Sequence, residues 1–170
     1  MSTSGLGFNR GLEPNISNLV AQKIRAEHIV RGGASWFLWV AGLSMLNSVL
    51  ALSGSSIRFI FGLGFAQVVD AFAHAAGNPG TVLDLFINGC VAGIFVLFWN
   101  FAQKGEKWAF TVGLVFYALD ALLMILFKNF LGLAFHGYVI YRIVNSMGSL
   151  PVLARLREAT AAVDAPITPI

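Results

Sequence analysis

Two ionisable residues stand inside long apolar runs: Asp120 in WAFTVGLVFYALDALLMILF and His136 in FLGLAFHGYVIYRIVN. An ionised aspartate near mid-bilayer costs roughly 2.5–3.5 kcal/mol even on the milder insertion scale, so Asp120 must face other helices and find a partner or stay protonated. Each residue lies eight positions from Lys128. A helical hairpin turning at Lys128-Asn129 therefore sets both at one depth, about 12 Å below the turn. Such a pair can accept and pass a proton or form half of an ion site. It can equally be a buried hydrogen bond that fixes the register of two helices.

Two further polar groupings have helical spacing. Tyr138, Tyr141, Arg142 and Asn145 form a stripe on the last apolar run, and Arg142 is six residues from His136. That offset is about 240° of helix, so Arg142 does not share the face of His136. It sits where it can snorkel to lipid headgroups, with Tyr138 and Tyr141 beside it. Gln67, Asp70 and His74 fall at i, i+3 and i+7 in IRFIFGLGFAQVVDAFAHAA, a polar stripe on one helical face. A metal held by Asp70, His74 and His136 can be imagined, but nothing in the spacing forces three ligands to converge. No metal or cofactor is expected. The chain has no Gly-x-Ser-x-Gly, no His-Glu-x-x-His and no phosphate loop, so no catalytic residue is assigned. The single cysteine, Cys90, excludes an internal disulfide and reads as core packing.

These residues need elements to hold them, and composition says which. The 170 residues are 57% hydrophobic and 11% charged, with a mean hydropathy of +0.76. That is far more apolar than a soluble domain. The chain reads as an all-α integral membrane protein, and at roughly 20 residues per span it holds four or five spans and no soluble catalytic domain. Its net charge of +3 comes from basic residues beside apolar runs, which points to anionic lipid rather than nucleic acid.

Along the chain, residues 1–14 lack an apolar period. Pro14 can open a helix over Asn15 to Arg31, read as an interfacial helix on an anionic leaflet or as a solvated cap. Gly33 to Leu52 is a span, with Trp36 and Trp39 at its start and Ser44, Asn47 and Ser48 placed for helix-to-helix hydrogen bonds. The run from Ile57 to Ala76 is long enough to cross, and Gly77-Asn78-Pro79-Gly80 stops it. Thr81 can cap the next helix, with Asp84 in capping-box position. Val82 to Ala102 is a clear span, and its Gly89 and Gly93 have the spacing of close helix packing or of a homodimer. Trp108 opens the hairpin, Pro151 ends its second helix, and a short amphipathic piece and a disordered tail follow. The organisation is thus an arm and interfacial helix over 1–31, a helical bundle over 32–150 and a tail over 151–170.

Charge decides how to count the spans. If every apolar run crosses, Arg10, Lys23, Arg25, Arg31 and Lys128 share one side, and Arg58, Lys104, Lys107, Arg155 and Arg157 the other. That arrangement has no bias. If residues 57–76 form a re-entrant or interfacial helix instead, only Arg58 and Lys128 lie outside, as the positive-inside rule prefers. The preferred reading is a bundle of four transmembrane helices plus this fifth apolar helix, with both termini cytoplasmic; a fifth span is the alternative.

At Lys107-Trp108-Ala109-Phe110, Tyr117-Ala118-Leu119-Asp120, Gly132, Phe135-His136, Trp36-Phe37 and Ala41-Gly42-Leu43-Ser44, the chain resembles a loose group of small bacterial multi-spanning membrane proteins with no assigned activity. The resemblance covers roughly residues 33–145 and implies a bacterial inner-membrane address and no chemistry. Two function classes follow from the residues. One is a non-catalytic packing, assembly or regulatory subunit, with membrane lipids and a second copy or another membrane protein as partners. The other is a small transporter or proton- or ion-handling protein using Asp120 and His136.

Overall fold

A computed structural model describes residues 13–52, 64–65, 68–69 and 78–164. Among them the chain forms helices and no strand: α1 (Glu13–Leu52), α2 (Asn78–Gln103), α3 (Lys107–Leu126), α4 (Phe130–Met147) and α5 (Leu150–Asp164). Gly64, Phe65, Val68 and Val69 are also helical. Three stretches, Asn15–Leu50, Leu85–Gln103 and Lys107–Leu126, are long and apolar enough to cross a membrane. The 18 residues of α4 span about 27 Å at helical rise, and His136, Arg142 and Asn145 dilute their apolar character.

The expected helix over Asn15 to Arg31 and the span from Gly33 are one uninterrupted helix of 40 residues. At about 60 Å it is twice as long as hydrocarbon is thick. Gly32-Gly33 looks like a boundary in sequence, yet Gly33 is where α4 comes close: a Cβ there would collide with the Ser146 side chain. Pro14 lies in the first turn of α1, where its missing N–H costs nothing. At α2 the expected capping box is absent, because the helix starts at Asn78 and Thr81 lies inside it. Pro79 is again tolerated in a first turn. α5 runs to Asp164, into the piece expected to be disordered, and packs against the N-terminal half of α1.

The turn between α3 and α4 falls at Lys128-Asn129. Lys128 takes a left-handed φ of 53°, and the Asn129 side chain accepts a hydrogen bond from Gly132 N at 2.9 Å, which caps α4. The α2–α3 turn uses Gly105 at φ 88°.

α1 packs chiefly on α2. Phe37, fully buried, has its ring 6.3 and 6.1 Å from those of Phe95 and Phe98 and 6.1 Å from Phe110. Gly113 admits this aromatic layer, since a Cβ there would sit 2.7 Å from the Phe37 ring. Further back on α1, Ser35 Oγ accepts from Gln103 Nε2 at 3.4 Å. Falling numbers on α1 thus meet rising numbers on α2, and the two helices are antiparallel. Leu52, Asn78 and the Lys128 turn share one end of the bundle; the α2–α3 turn, α5 and the start of α1 share the other.

Other expectations fare differently. Cys90 is exposed rather than in the core, on the far side of α2 from buried Asn88, Ala92 and Phe95; in lipid a thiol is at home on the outer face. Among the described residues nothing lies within 4 Å of a Cβ built at Gly89 or Gly93, so neither serves close packing between the described helices. Ser44 and Ser48 are buried, but their hydroxyls find no hydrogen-bond partner.

Candidate functional site

Seven residues beyond the aromatic layer, toward the Lys128 end, each of three helices places a polar side chain on the inward face. Ser44 follows Phe37, Asn88 precedes Phe95 and Asp120 follows Gly113. Seven residues are close to two full turns, about 10 Å, so the face is kept and the depth is shared. All three are buried, and His136 on α4 joins them with no exposed surface. A polar layer therefore crosses an otherwise apolar bundle.

The structure brings Asp120 and His136 together: His136 Nε2 lies 2.9 Å from Asp120 Oδ2. The other ring nitrogen, Nδ1, is 2.8 Å from the carbonyl oxygen of Gly132, one turn earlier on α4. A carbonyl only accepts, so Nδ1 must carry a hydrogen. Nε2 then faces a carboxyl oxygen, and two lone pairs do not approach to 2.9 Å without a proton between them. One proton therefore occupies the Nε2–Oδ2 axis, making the pair either carboxylate and imidazolium or carboxylic acid and imidazole.

Two further donors reach the same carboxyl. Gly64 N donates to Oδ2 and Phe65 N to Oδ1, each at 2.8 Å. Backbone N–H groups offered to a carboxyl in this way compensate part of its lost hydration. Two backbone donors and the proton shared with His136 thus offset the desolvation of one aspartate. The Tyr117 ring, one turn before Asp120, stacks on the imidazole with centroids 4.4 Å apart and planes 11° from parallel. Its negative π face suits an imidazole carrying charge. The Tyr117 hydroxyl is buried and has no hydrogen-bond partner among the described residues.

Sequence spacing led to the pair but not to Gly64 and Phe65, because a backbone donor leaves no signature in residue type. The glycine was the one available signal: a Cβ at Gly64 would lie 3.2 Å from the Asp120 carbonyl oxygen and 3.1 Å from Leu123 Cβ. Asp120 also edges a cavity of about 490 Å³, otherwise lined by apolar residues including Phe65, Ile94, Phe95, Phe116, Leu119 and Leu123.

Arg142 stands apart from the pair. Its guanidinium lies 5.9 Å from the Trp36 ring centroid and 6.0 Å from that of Tyr138, and Nη1 donates to the Tyr138 hydroxyl at 3.4 Å. Tyr141 is 64% exposed and takes no part in this stack. Gln67, Asp70 and His74 lie outside the described residues. Among the described residues no group of three His, Cys, Asp or Glu is placed to hold a metal ion.

No family model, curated protein or solved structure matches the chain. Its function has to be argued from the polar layer itself.

Proposed function

We propose that this chain is a non-catalytic, multi-pass membrane protein of the packing, assembly or regulatory class, in which the Asp120–His136 pair fastens three segments. The observation that carries the reading is that the protein's own atoms engage both Asp120 oxygens and both His136 ring nitrogens. These contacts tie α3 to α4 and to the backbone at Gly64 and Phe65. The proposed architecture is four spans, α4 included, with residues 57–76 not crossing and both termini cytoplasmic in a bacterial inner membrane. The antiparallel packing of α1 and α2 supports it, because the connection between them starts and ends at one side. Basic residues agree: Lys23 Nζ donates to Thr160 Oγ1 at 3.2 Å and Arg157 Nη1 to the Lys104 carbonyl at 3.0 Å, which gathers α1, the α2–α3 turn and α5 at one positive end. Lipids are the first partners of such a protein, followed by a second copy or another membrane protein.

One observation favours a second reading. The pair holds a single proton at the edge of an apolar cavity, an arrangement that suits proton handling. The two readings part in liposomes carrying an internal pH dye. If the pair is a fastener, Asp120→Asn leaves proton flux at the wild-type level and changes only thermal stability. Flux that exceeds protein-free liposomes in the wild type and vanishes in the variant would overturn the fastener reading.

A further inference from the structure

At the positive end, beside the point where the apolar stretch of α2 finishes at Gln103, a cavity of about 570 Å³ is lined by Arg31, Trp99, Asn100, Gln103, Lys104 and Arg157. Its size falls within the roughly 300–1,000 Å³ of small-ligand sites. Three cations from three elements converge on it: Arg31 from α1, Lys104 from the turn after α2 and Arg157 from α5. No carboxylate lines it. Glu27 compensates one of them, with its Oε1 3.7 Å from Arg157 Nε.

The donors around this cavity are largely unspent. Among the described residues the Arg31 guanidinium makes no hydrogen bond or ion pair, and the Lys104 ammonium only lies over the Phe101 ring, 5.1 Å from its centroid. The Trp99 indole N–H is shielded from solvent and has no partner. Arg157, by contrast, is held in place through the Lys104 carbonyl. Like charges around one cavity repel, and an anion with several acceptor oxygens relieves that repulsion while satisfying the donors. The position, at the end of an apolar span, is where lipid phosphates lie.

We propose that this cavity binds a phosphate group, supplied by the headgroup of an anionic membrane lipid. The site differs from the Arg142 stack, which spends its cation on two aromatic rings. It does not depend on the role of Asp120 and His136.

The test uses the full chain in a neutral detergent, with native mass spectrometry and thermal melting as readouts. Three probes are added: dioleoyl-phosphatidylglycerol, dioleoyl-phosphatidylcholine and inorganic phosphate. Phosphatidylglycerol should bind and raise the melting temperature, and phosphatidylcholine, which keeps the phosphate but sets a cationic choline beside Arg31, Lys104 and Arg157, should bind roughly tenfold more weakly. Arg31→Gln with Lys104→Gln should weaken phosphatidylglycerol binding by roughly tenfold or more. The lipid-free melting temperature should then move by no more than about 2 °C, since neither side chain holds the fold. Trp99→Phe tests the indole donor and should weaken binding a few-fold with the apolar packing kept. Inorganic phosphate that binds as tightly as the lipid would overturn a lipid source. Equal binding of both lipids, or phosphatidylglycerol binding unchanged in the double variant, would overturn the site.

Discussion

At the residue scale, the pair behaves as a coupled unit, and two substitutions examine it from opposite sides. Asp120→Ala strands an imidazole and two backbone N–H groups in a buried setting, and the expected loss is about 3 kcal/mol. His136→Ala should cost less, because the carboxyl keeps Gly64 N and Phe65 N. In a double-mutant cycle read by thermal melting, the two losses should fall short of adding by about 1–3 kcal/mol; additivity would mean that the pair is not coupled. Tyr117→Phe removes a buried hydroxyl that bonds to none of the described residues and keeps the ring on His136. Stability should hold or rise by about 1 kcal/mol, and a clear fall in melting temperature would reveal a partner for that hydroxyl. Spacing about Lys128 made the pair legible in the sequence because helical rise is fixed. The donors at Gly64 and Phe65 were not legible, since every residue but proline offers the same N–H.

At the element scale, packing overrode local signals. The change in composition at Gly32-Gly33 suggested a boundary, and glycine is a poor helix former. Close approach of Ser146 explains the glycine instead, and the helix runs on. The same physics makes Gly113 a sensitive position: Gly113→Leu drives a side chain into the Phe37 ring and should destabilise by about 1–3 kcal/mol. Adding Phe37→Ala should recover part of that loss in the melting temperature, whereas Phe37→Ala alone should be costly. If the two losses simply add, the contact between α1 and α3 is not the cause. The Thr81 cap failed for a related reason, because proline in a first turn let α2 begin earlier than the capping signature suggested.

For the whole molecule, apolar composition made helices and a membrane setting legible, while the path of the chain came from charge and then from packing. Reporters of sidedness fused to each terminus should label the same compartment, as the shared end of α1 and α5 requires in a four-span arrangement. Opposite compartments would sink that topology. The N-terminal half of α1 and α5 form a collar at one end of the bundle, joined by contacts such as Lys23 to Thr160 and Arg157 to Glu27. Exposed ion pairs of this kind contribute only about 0–1 kcal/mol each. The burial of Val30, Leu153 and Leu156 therefore holds the collar more than its charges do.

The three partners of Asp120 also differ in when they exist. Gly64 and Phe65 precede it in synthesis by more than fifty residues, whereas His136 follows sixteen residues later, about 1–3 s at ordinary rates of elongation. A ribosome delivering α3 therefore presents the aspartate to backbone donors already made, and the imidazole arrives last. A released chain ending before Phe130 should already insert α3, and α4 then locks a carboxyl that has been waiting in place.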